Sequence, residues 1–321
     1  MENKYLTSSL RIIFIVSIIY AILAGSGFYG FSNDFYAEYF RSNLIYPSFR
    51  EVLGSLLSTI TIFDIHLGVE LTSFFVAISS GLLIRSIFIV NNKNSLPFFL
   101  FIFLIMIHTH PIIMSTSGAM RQGWVMSFVY IGLSIIISDN KRLLPTLLFF
   151  MAVFFHKSGL IFFLLYLLTQ LFFMINKIIE IKRFYLIIFG ILLFSTSCIV
   201  LDFLGWTNAN HRIVYGDFRF FWLIINFVYV VTFLYIINKN YLKELKFPSF
   251  FLYFHACIAT SFLLMGLNWQ YERINMIIGI LVLTIFISFF KKKYFYLYLT
   301  IGMCTYLLLT IIQGMYSIGL T

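Results

Sequence analysis

The chain has 321 residues, of which 61% are hydrophobic and only 11% charged, with a mean hydropathy of +0.97 and a formal net charge of +10. Soluble domains carry roughly 25% charged and 45–50% apolar residues, so a soluble globular fold is excluded. Long apolar runs separated by short polar knots are the pattern of helices crossing a hydrocarbon core about 30 Å thick.

The expected fold is an all-α polytopic integral membrane protein of about eleven helices forming a single transmembrane domain over 1–321. Taken in order, the predicted spans are 12–27, 67–90, 97–115, 120–138, 143–155, 158–175, 184–203, 220–238, 249–267, 274–290 and 294–315. Lys4 and Arg11 ahead of Ile12 to Ala24 also fit a signal peptide, but the first span of a polytopic chain has the same composition. Cys198, Cys257 and Cys304 all lie inside apolar runs, which makes them small packing residues and excludes a disulfide framework in the loops.

The stretch 143–175 is too long for one helix, and Phe155-His156-Lys157-Ser158-Gly159 interrupts it. As one crossing it would put Lys177, Lys182 and Arg183 outside, against the tendency of basic residues to stay cytoplasmic. Two short crossings remove the conflict. With a cytoplasmic N-terminus and an outer C-terminus, the only outer bases are then Arg41, Arg50, Arg121, Lys157, Arg212, Arg219 and Arg273, and all the others are cytoplasmic. The positive charge is thus topological and implies no nucleic-acid partner. The outer bases are nearly all arginine, whereas lysine dominates inside. A guanidinium grips phosphate bidentately and keeps its charge at a membrane boundary, so the outer arginines point to an anionic ligand such as a lipid pyrophosphate. Pairing with outer carboxylates or lipid headgroups is the alternative for any single one.

The longest outer loop, 28–66, contains Phe49, Val52, Leu53, Leu56, Leu57 and Ile60 at helical spacing after Pro47, with Glu51, Ser55 and Ser58 on another face. It is predicted to hold an amphipathic helix on the outer membrane surface. Asp34, Tyr36 and their neighbours before it combine carboxylates with aromatics, as sugar-binding surfaces and interfacial aromatic belts both do. Ser115 to Gln122 form a small-polar turn that opens a span, so Arg121 falls in its first turn, where backbone N–H groups and the helix dipole favour an anion. His156 and Lys157 return to the same side. An ionisable residue at membrane depth is a functional candidate, and a hydrogen-bonded packing histidine is the plainer alternative. The outer loop 205–219 adds Arg212, Tyr215, Asp217 and Arg219, and Asn268 to Arg273 adds the adjacent pair Glu272 and Arg273.

His108 and His110 are two apart and so do not share a helix face. The sequence has no His-Glu-x-x-His, Cys-x-x-Cys, Gly-rich phosphate loop or Gly-x-Ser-x-Gly elbow. No metal and no cofactor are expected.

Arg121-Gln122, an apolar span, a basic turn and then Phe155-His156-Lys157-Ser158-Gly159 resemble the core of the EpsG-type, Wzy-like family of bacterial exopolysaccharide and O-antigen polymerases. Asp34-Phe35-Tyr36, Tyr39 and Glu51 resemble its N-terminal pattern. The resemblance is concentrated in 32–90 and 115–170. The chain departs from the pattern at Ser32, where a Gly is common, and at Arg50-Glu51-Val52, where Glu is followed by Pro or Gly, which weakens roles for Asp34 and Glu51.

The resemblance implies a GT-C-like fold in the bacterial inner membrane, with the active site facing the periplasm. The implied enzyme transfers a glycan from undecaprenyl pyrophosphate onto a lipid-linked repeat unit without metal or nucleotide sugar. Arg121 and His156 would be catalytic, His156 accepting the proton of the attacking hydroxyl, with Glu272, Asp217 and Glu51 as alternative bases. Substrate contacts would come from Gln122, Lys157, Arg212, Tyr215, Arg219, Glu272, Arg273, Asp34, Tyr36 and Glu51. A chain-length regulator and a flippase would be its accessory partners, beside the membrane lipids. The rival classes are a lipid-linked oligosaccharide flippase, which would be expected to show internal repeats, and a membrane O-acyltransferase, which would carry an Arg and a His near its first span.

Overall fold

The computed structural model describes residues 2–29, 67–92, 95–139, 142–178, 183–203 and 247–264, with 224, 226–231, 233–234, 275, 297, 300, 304, 307–308 and 311. Every regular element among the described residues is helical: α1 Glu2–Gly25, α2 Leu67–Val90, α3 Leu96–Ile107, α4 His110–Ile113, α5 Met120–Asp139, α6 Leu143–Ala152, α7 Lys157–Ile178, α8 Arg183–Phe203 and α9 Phe247–Leu264. Among the described residues, four stretches are long and apolar enough to cross a membrane: Thr7–Gly25, Gly68–Val90, Met120–Ser138 and Ser158–Ile178. The chain has the make-up of a helical membrane protein. The expected amphipathic helix, residues 30–66 of the long outer loop, the outer loop 205–219, the span 274–290 apart from Asn275, and most of 220–238 and 294–315 lie outside the described residues.

The chain divides into two compact units, Met1–Phe163 with Phe290–Met315 and Leu164–Phe289 with Tyr316–Thr321. In the first, α1 is built inside out relative to a soluble helix. Its buried stripe includes Ser9, Ile13, Ser17, Tyr20 and Ala24, while Leu10, Phe14, Ile15, Ile18, Ile19 and Ile22 are exposed. Lipid tails accept the apolar face, and small residues let helices approach closely. α2 runs antiparallel to α1, with Gly81 against Ile13 and Glu70 folded over Gly25. Arg85, read from the sequence only as a cytoplasmic topology charge, also donates from Nε to Ser9 Oγ at 3.1 Å and so ties α2 to α1.

α5 lies parallel to α2. Thr72 meets Gly123, the rings of Phe75 and Trp124 are 4.8 Å apart, and Ser138 Oγ donates to Ser86 Oγ at 2.9 Å. Ser79, Ser80, Ser86, Ser127 and Ser134 donate back to carbonyls of their own helices. That gives each hydroxyl proton an acceptor within its own helix, and Ser86 Oγ in addition accepts from Ser138 across the interface.

The expected span 97–115 is not one helix. α3 stops at Ile107, after about 18 Å of rise. His108 and Thr109 then donate their amides three residues back, to Ile105 and Met106, while Ile112 and Ile113 restart on the carbonyl of Thr109. Pro111 explains the break, because it has no N–H to continue the ladder. A π-helical turn over Met114–Gly118 follows, closed by Ala119 N–H on the carbonyl of Met114 at 2.6 Å.

In the second unit, Tyr253 Oη donates to the Leu186 carbonyl at 3.2 Å while Gly190 makes room for its ring, and Phe172 packs on Phe189, Phe250 and Phe254. Tyr229 Oη donates to the Ser249 carbonyl, and Asn226 Nδ2 donates to Asn275 Oδ1 at 3.0 Å, a buried amide pair of the kind that joins helices in lipid. The three cysteines are free.

Candidate functional site

The interruption at 153–159 is a sharp turn. Val153, Phe154 and Phe155 donate their amides to the carbonyls of Phe150, Met151 and Ala152, a tightening of the helix end into i→i−3 bonds. Gly159 then packs on the backbone of Ala152, where any Cβ would fall on the carbonyl. The rings of Phe150 and Phe163, thirteen positions apart, come within 5.5 Å. A continuous helix would hold them about 20 Å apart along its axis, so the chain turns sharply between α6 and α7, with His156 at the apex of the turn.

The depth of that apex follows from the packing of α6 on α5. Phe149 covers Gly132, and Phe155 meets both Trp124 and Phe128 with centroids 5.2 and 5.0 Å away. This antiparallel register sets His156 level with Val125, roughly 7 Å inside the N-terminal end of α5. α6 itself, at 10 residues, rises only about 15 Å, half a bilayer core.

At the apex, His156 precedes α7 and caps it. Ser158 N–H donates to His156 Nδ1 at 3.2 Å, and Ser158 Oγ lies 2.9 Å from the same nitrogen. A backbone amide can only donate, so Nδ1 carries the lone pair and the proton of the neutral ring sits on Nε2. The sequence expectation of a proton acceptor therefore meets a ring whose accepting nitrogen is already engaged.

Arg121 is the second residue of α5 and is half-buried. Its neighbour Gln122 is buried, and Gln122 Nε2 has no hydrogen-bond partner among the described residues. The expected cradle of open first-turn amides is only partly present, because Gln122 N–H and Gly123 N–H both donate to the Ala119 carbonyl. Gly123 presses on the Ser115 carbonyl, which locks the π-helical turn onto the start of α5.

Trp124 is a residue that the sequence did not single out. It is buried, its Nε1 has no partner among the described residues, and it lies three positions after Arg121 on the same helix face. The structure thus gathers Arg121, Gln122, Trp124 and His156 at one end of the first unit, with Lys157 opening α7. Asp34, Tyr36, Glu51, Arg212, Tyr215, Asp217, Arg219, Glu272 and Arg273 lie outside the described residues.

A second polar group lies at the end of the first unit where α3 finishes. His108 Nδ1 donates to the Leu104 carbonyl at 2.8 Å, which leaves Nε2 to accept from Tyr29 Oη at 3.0 Å. The Tyr20 ring packs against both, 5.1 Å from Tyr29 and 6.1 Å from His108. Partial burial pushes the Tyr29 phenol above its ordinary value of 10.0. Among the described residues, no group of three or more His, Cys, Asp or Glu could hold a metal ion.

No family model, no curated protein and no solved structure matches this chain. Its function therefore has to be argued from the residues themselves.

Proposed function

We propose that the chain is a lipid-linked oligosaccharide polymerase of the bacterial inner membrane, with about eleven spans and its site on the periplasmic side. One observation carries the reading: the turn between α6 and α7 stacks Phe155, the neighbour of His156, on Trp124, one turn along α5 from Arg121. In the proposed reaction, a sugar hydroxyl of one lipid-linked unit forms a bond to the anomeric carbon of another glycan. The bond from that carbon to pyrophosphate breaks, and undecaprenyl pyrophosphate leaves with the electron pair. Arg121 would hold the leaving group and absorb its developing charge, the interaction that most lowers such a barrier in a dry site. Arg212, Arg219, Arg273, Gln122 and Lys157 would complete the anion contacts, with Asp34, Tyr36 and Tyr215 on the sugars. Proton removal from the hydroxyl falls to a carboxylate, with Glu272, Asp217 and Glu51 as candidates.

A flippase for the same lipid is the second reading, because broken helices such as α3–α4 and α6–α7 mark binding sites in transporters. A deletion strain separates the two. Polymerase loss leaves single repeat units accessible to periplasmic enzymes and no long polymer, whereas flippase loss leaves the units facing the cytoplasm. Normal polymer in the deletion strain would end both readings.

A further inference from the structure

We infer that Tyr29 is a hydrogen-bond acceptor for a sugar hydroxyl, held in that role by His108, and that Phe28 beside it forms the apolar wall of the same subsite. The inference rests on the proposed glycan substrate, but its hydrogen-bond geometry stands independently of the reaction.

Two helix ends build the subsite. α1 closes in a Schellman turn, in which Phe28 N–H donates to the Leu23 carbonyl and Gly27 N–H to that of Ala24, both at 3.0 Å, with Gly27 at φ 80°. A left-handed glycine there folds the chain back over the helix end, and Tyr29 packs on Ala24, Val69 and Met120. α3 supplies the partner. As this helix tightens at its end, His108 N–H donates to the Ile105 carbonyl rather than to that of Leu104. The imidazole takes the place of the amide, with Nδ1 2.8 Å from the Leu104 carbonyl.

The direction of every bond in this chain is then fixed. A carbonyl only accepts, so Nδ1 carries the proton of the neutral ring and Nε2 the lone pair. Tyr29 Oη, 3.0 Å from Nε2, donates its proton there and offers a ligand lone pairs alone. A phosphate or carboxylate, which also only accepts, finds no bond at this oxygen, whereas a hydroxyl does. The buried Tyr20 holds the pair in place, its ring 5.1 Å from that of Tyr29 and 6.1 Å from that of His108. Phe28 is 70% exposed and meets Tyr29 edge to face, with centroids 5.2 Å and planes 89° apart. An exposed aromatic ring beside an acceptor oxygen suits a pyranose, whose C–H hydrogens meet the negative face of the ring while its hydroxyls donate. Met120, on which Tyr29 packs, immediately precedes Arg121. The sugar subsite therefore adjoins the residue proposed to hold the pyrophosphate.

The test uses the full-length chain in phosphatidylcholine nanodiscs, whose headgroup has no N–H or O–H to compete. With ¹⁵N-labelled histidine, the His108 ring signals are assigned as those missing from His108→Gln among the six histidines, and should show a protonated Nδ1 and a bare Nε2. Saturation-transfer NMR with methyl glycosides of hexoses and N-acetylhexosamines should detect binding above that of empty nanodiscs. Tyr29→Phe should weaken it about three- to tenfold, the loss of one hydrogen bond. Phe28→Ala should weaken it as well, and Phe28→Trp should restore it. Monodeoxy analogues of the bound glycoside separate contact from packing. The analogue that lacks the donated hydroxyl should bind wild type and Tyr29→Phe alike, because the bond is absent from both, while the other analogues keep the loss. A His108 ring protonated on Nε2, no glycoside bound, an equal loss across every analogue in Tyr29→Phe, or Phe28→Ala binding like the wild type would overturn the inference. If glycosides bind as expected but the deletion strain makes normal polymer, the sugar subsite stands and the polymerase reading fails.

Discussion

The ring of Phe155 stacks on that of Trp124 with centroids 5.2 Å and planes 23° apart, and this contact holds the turn between α6 and α7 against α5. Phe155→Ala should therefore cost about 3 kcal/mol or more of stability, the usual loss for a buried phenylalanine, and should free His156 from its level on α5. Phe155→Leu, which fills most of the space, should lose less than half as much. Thermal unfolding of the detergent-solubilised protein measures both, and equal effects would mean that the ring stacking is dispensable.

Gly159 lies at a tight point of the turn between α6 and α7. A Cβ there would fall on the carbonyl of Ala152, and backbone cannot move aside as a side chain can. Gly159→Ala is expected to destabilise the protein by about 1–3 kcal/mol, the usual range for overpacking, and to abolish long polymer. A variant that melts with the wild type would show that the turn opens without consequence.

Arg121→Lys keeps the charge and loses the planar fork, so most of the activity should disappear. Arg85→Lys should leave polymer length unchanged while costing about 0.5–1.5 kcal/mol of stability, because its Nε bond to Ser9 is lost. Polymer profiles and melting curves of the two variants separate binding from packing. Similar losses of polymer in both would argue against an arginine-held pyrophosphate.

Tyr29 gives a pH test. Its phenol is pushed up from 10.0 by burial, so the folded chain keeps a proton that the unfolded chain releases. Its contribution is fully present below about pH 10 and is lost as the pH rises beyond it. Tyr29→Phe should flatten the alkaline fall in stability above pH 10 and, at neutral pH, cost about 0.5–1.5 kcal/mol for the bond to His108. An unchanged alkaline limb would assign that fall to other groups.

Accessibility labelling fixes the orientation. Lys157→Cys, read in a background with the native cysteines removed, should react with a membrane-impermeant maleimide added from the periplasmic side. Reaction from the cytoplasm alone would invert the proposed topology.

α2 and α5 were legible from the sequence because each is an uninterrupted apolar run of bilayer length, and the observed Leu67–Val90 and Met120–Asp139 match the predicted 67–90 and 120–138 almost residue for residue. The interruption at 155–159 was also legible, since His, Lys, Ser and Gly together break an apolar pattern. The break after α3 was not read, although Pro111 marks it, because hydropathy stays high through Ile112 and Ile113 and masks a missing backbone donor. Arg121 and His156 stood out as charge and imidazole in an apolar setting. Trp124 did not, because an indole in a span looks like packing, and only its burial with no acceptor for the N–H among the described residues sets it apart. The tautomer of His156 depends on where the amide of Ser158 points, which no residue pattern encodes.

The short α6 has a consequence for the membrane around the protein. A headgroup resting at the level where α5 begins has to sink roughly 7 Å to meet His156, and its hydrocarbon anchor has to be drawn down with it or the surrounding leaflet has to dimple. Either deformation grows with bilayer thickness. Reconstituted into lipids of graded chain length, the protein should therefore work fastest in the thinnest bilayer that still keeps α2 and α5 fully embedded, which makes lipid chain length a rate-setting variable alongside substrate concentration.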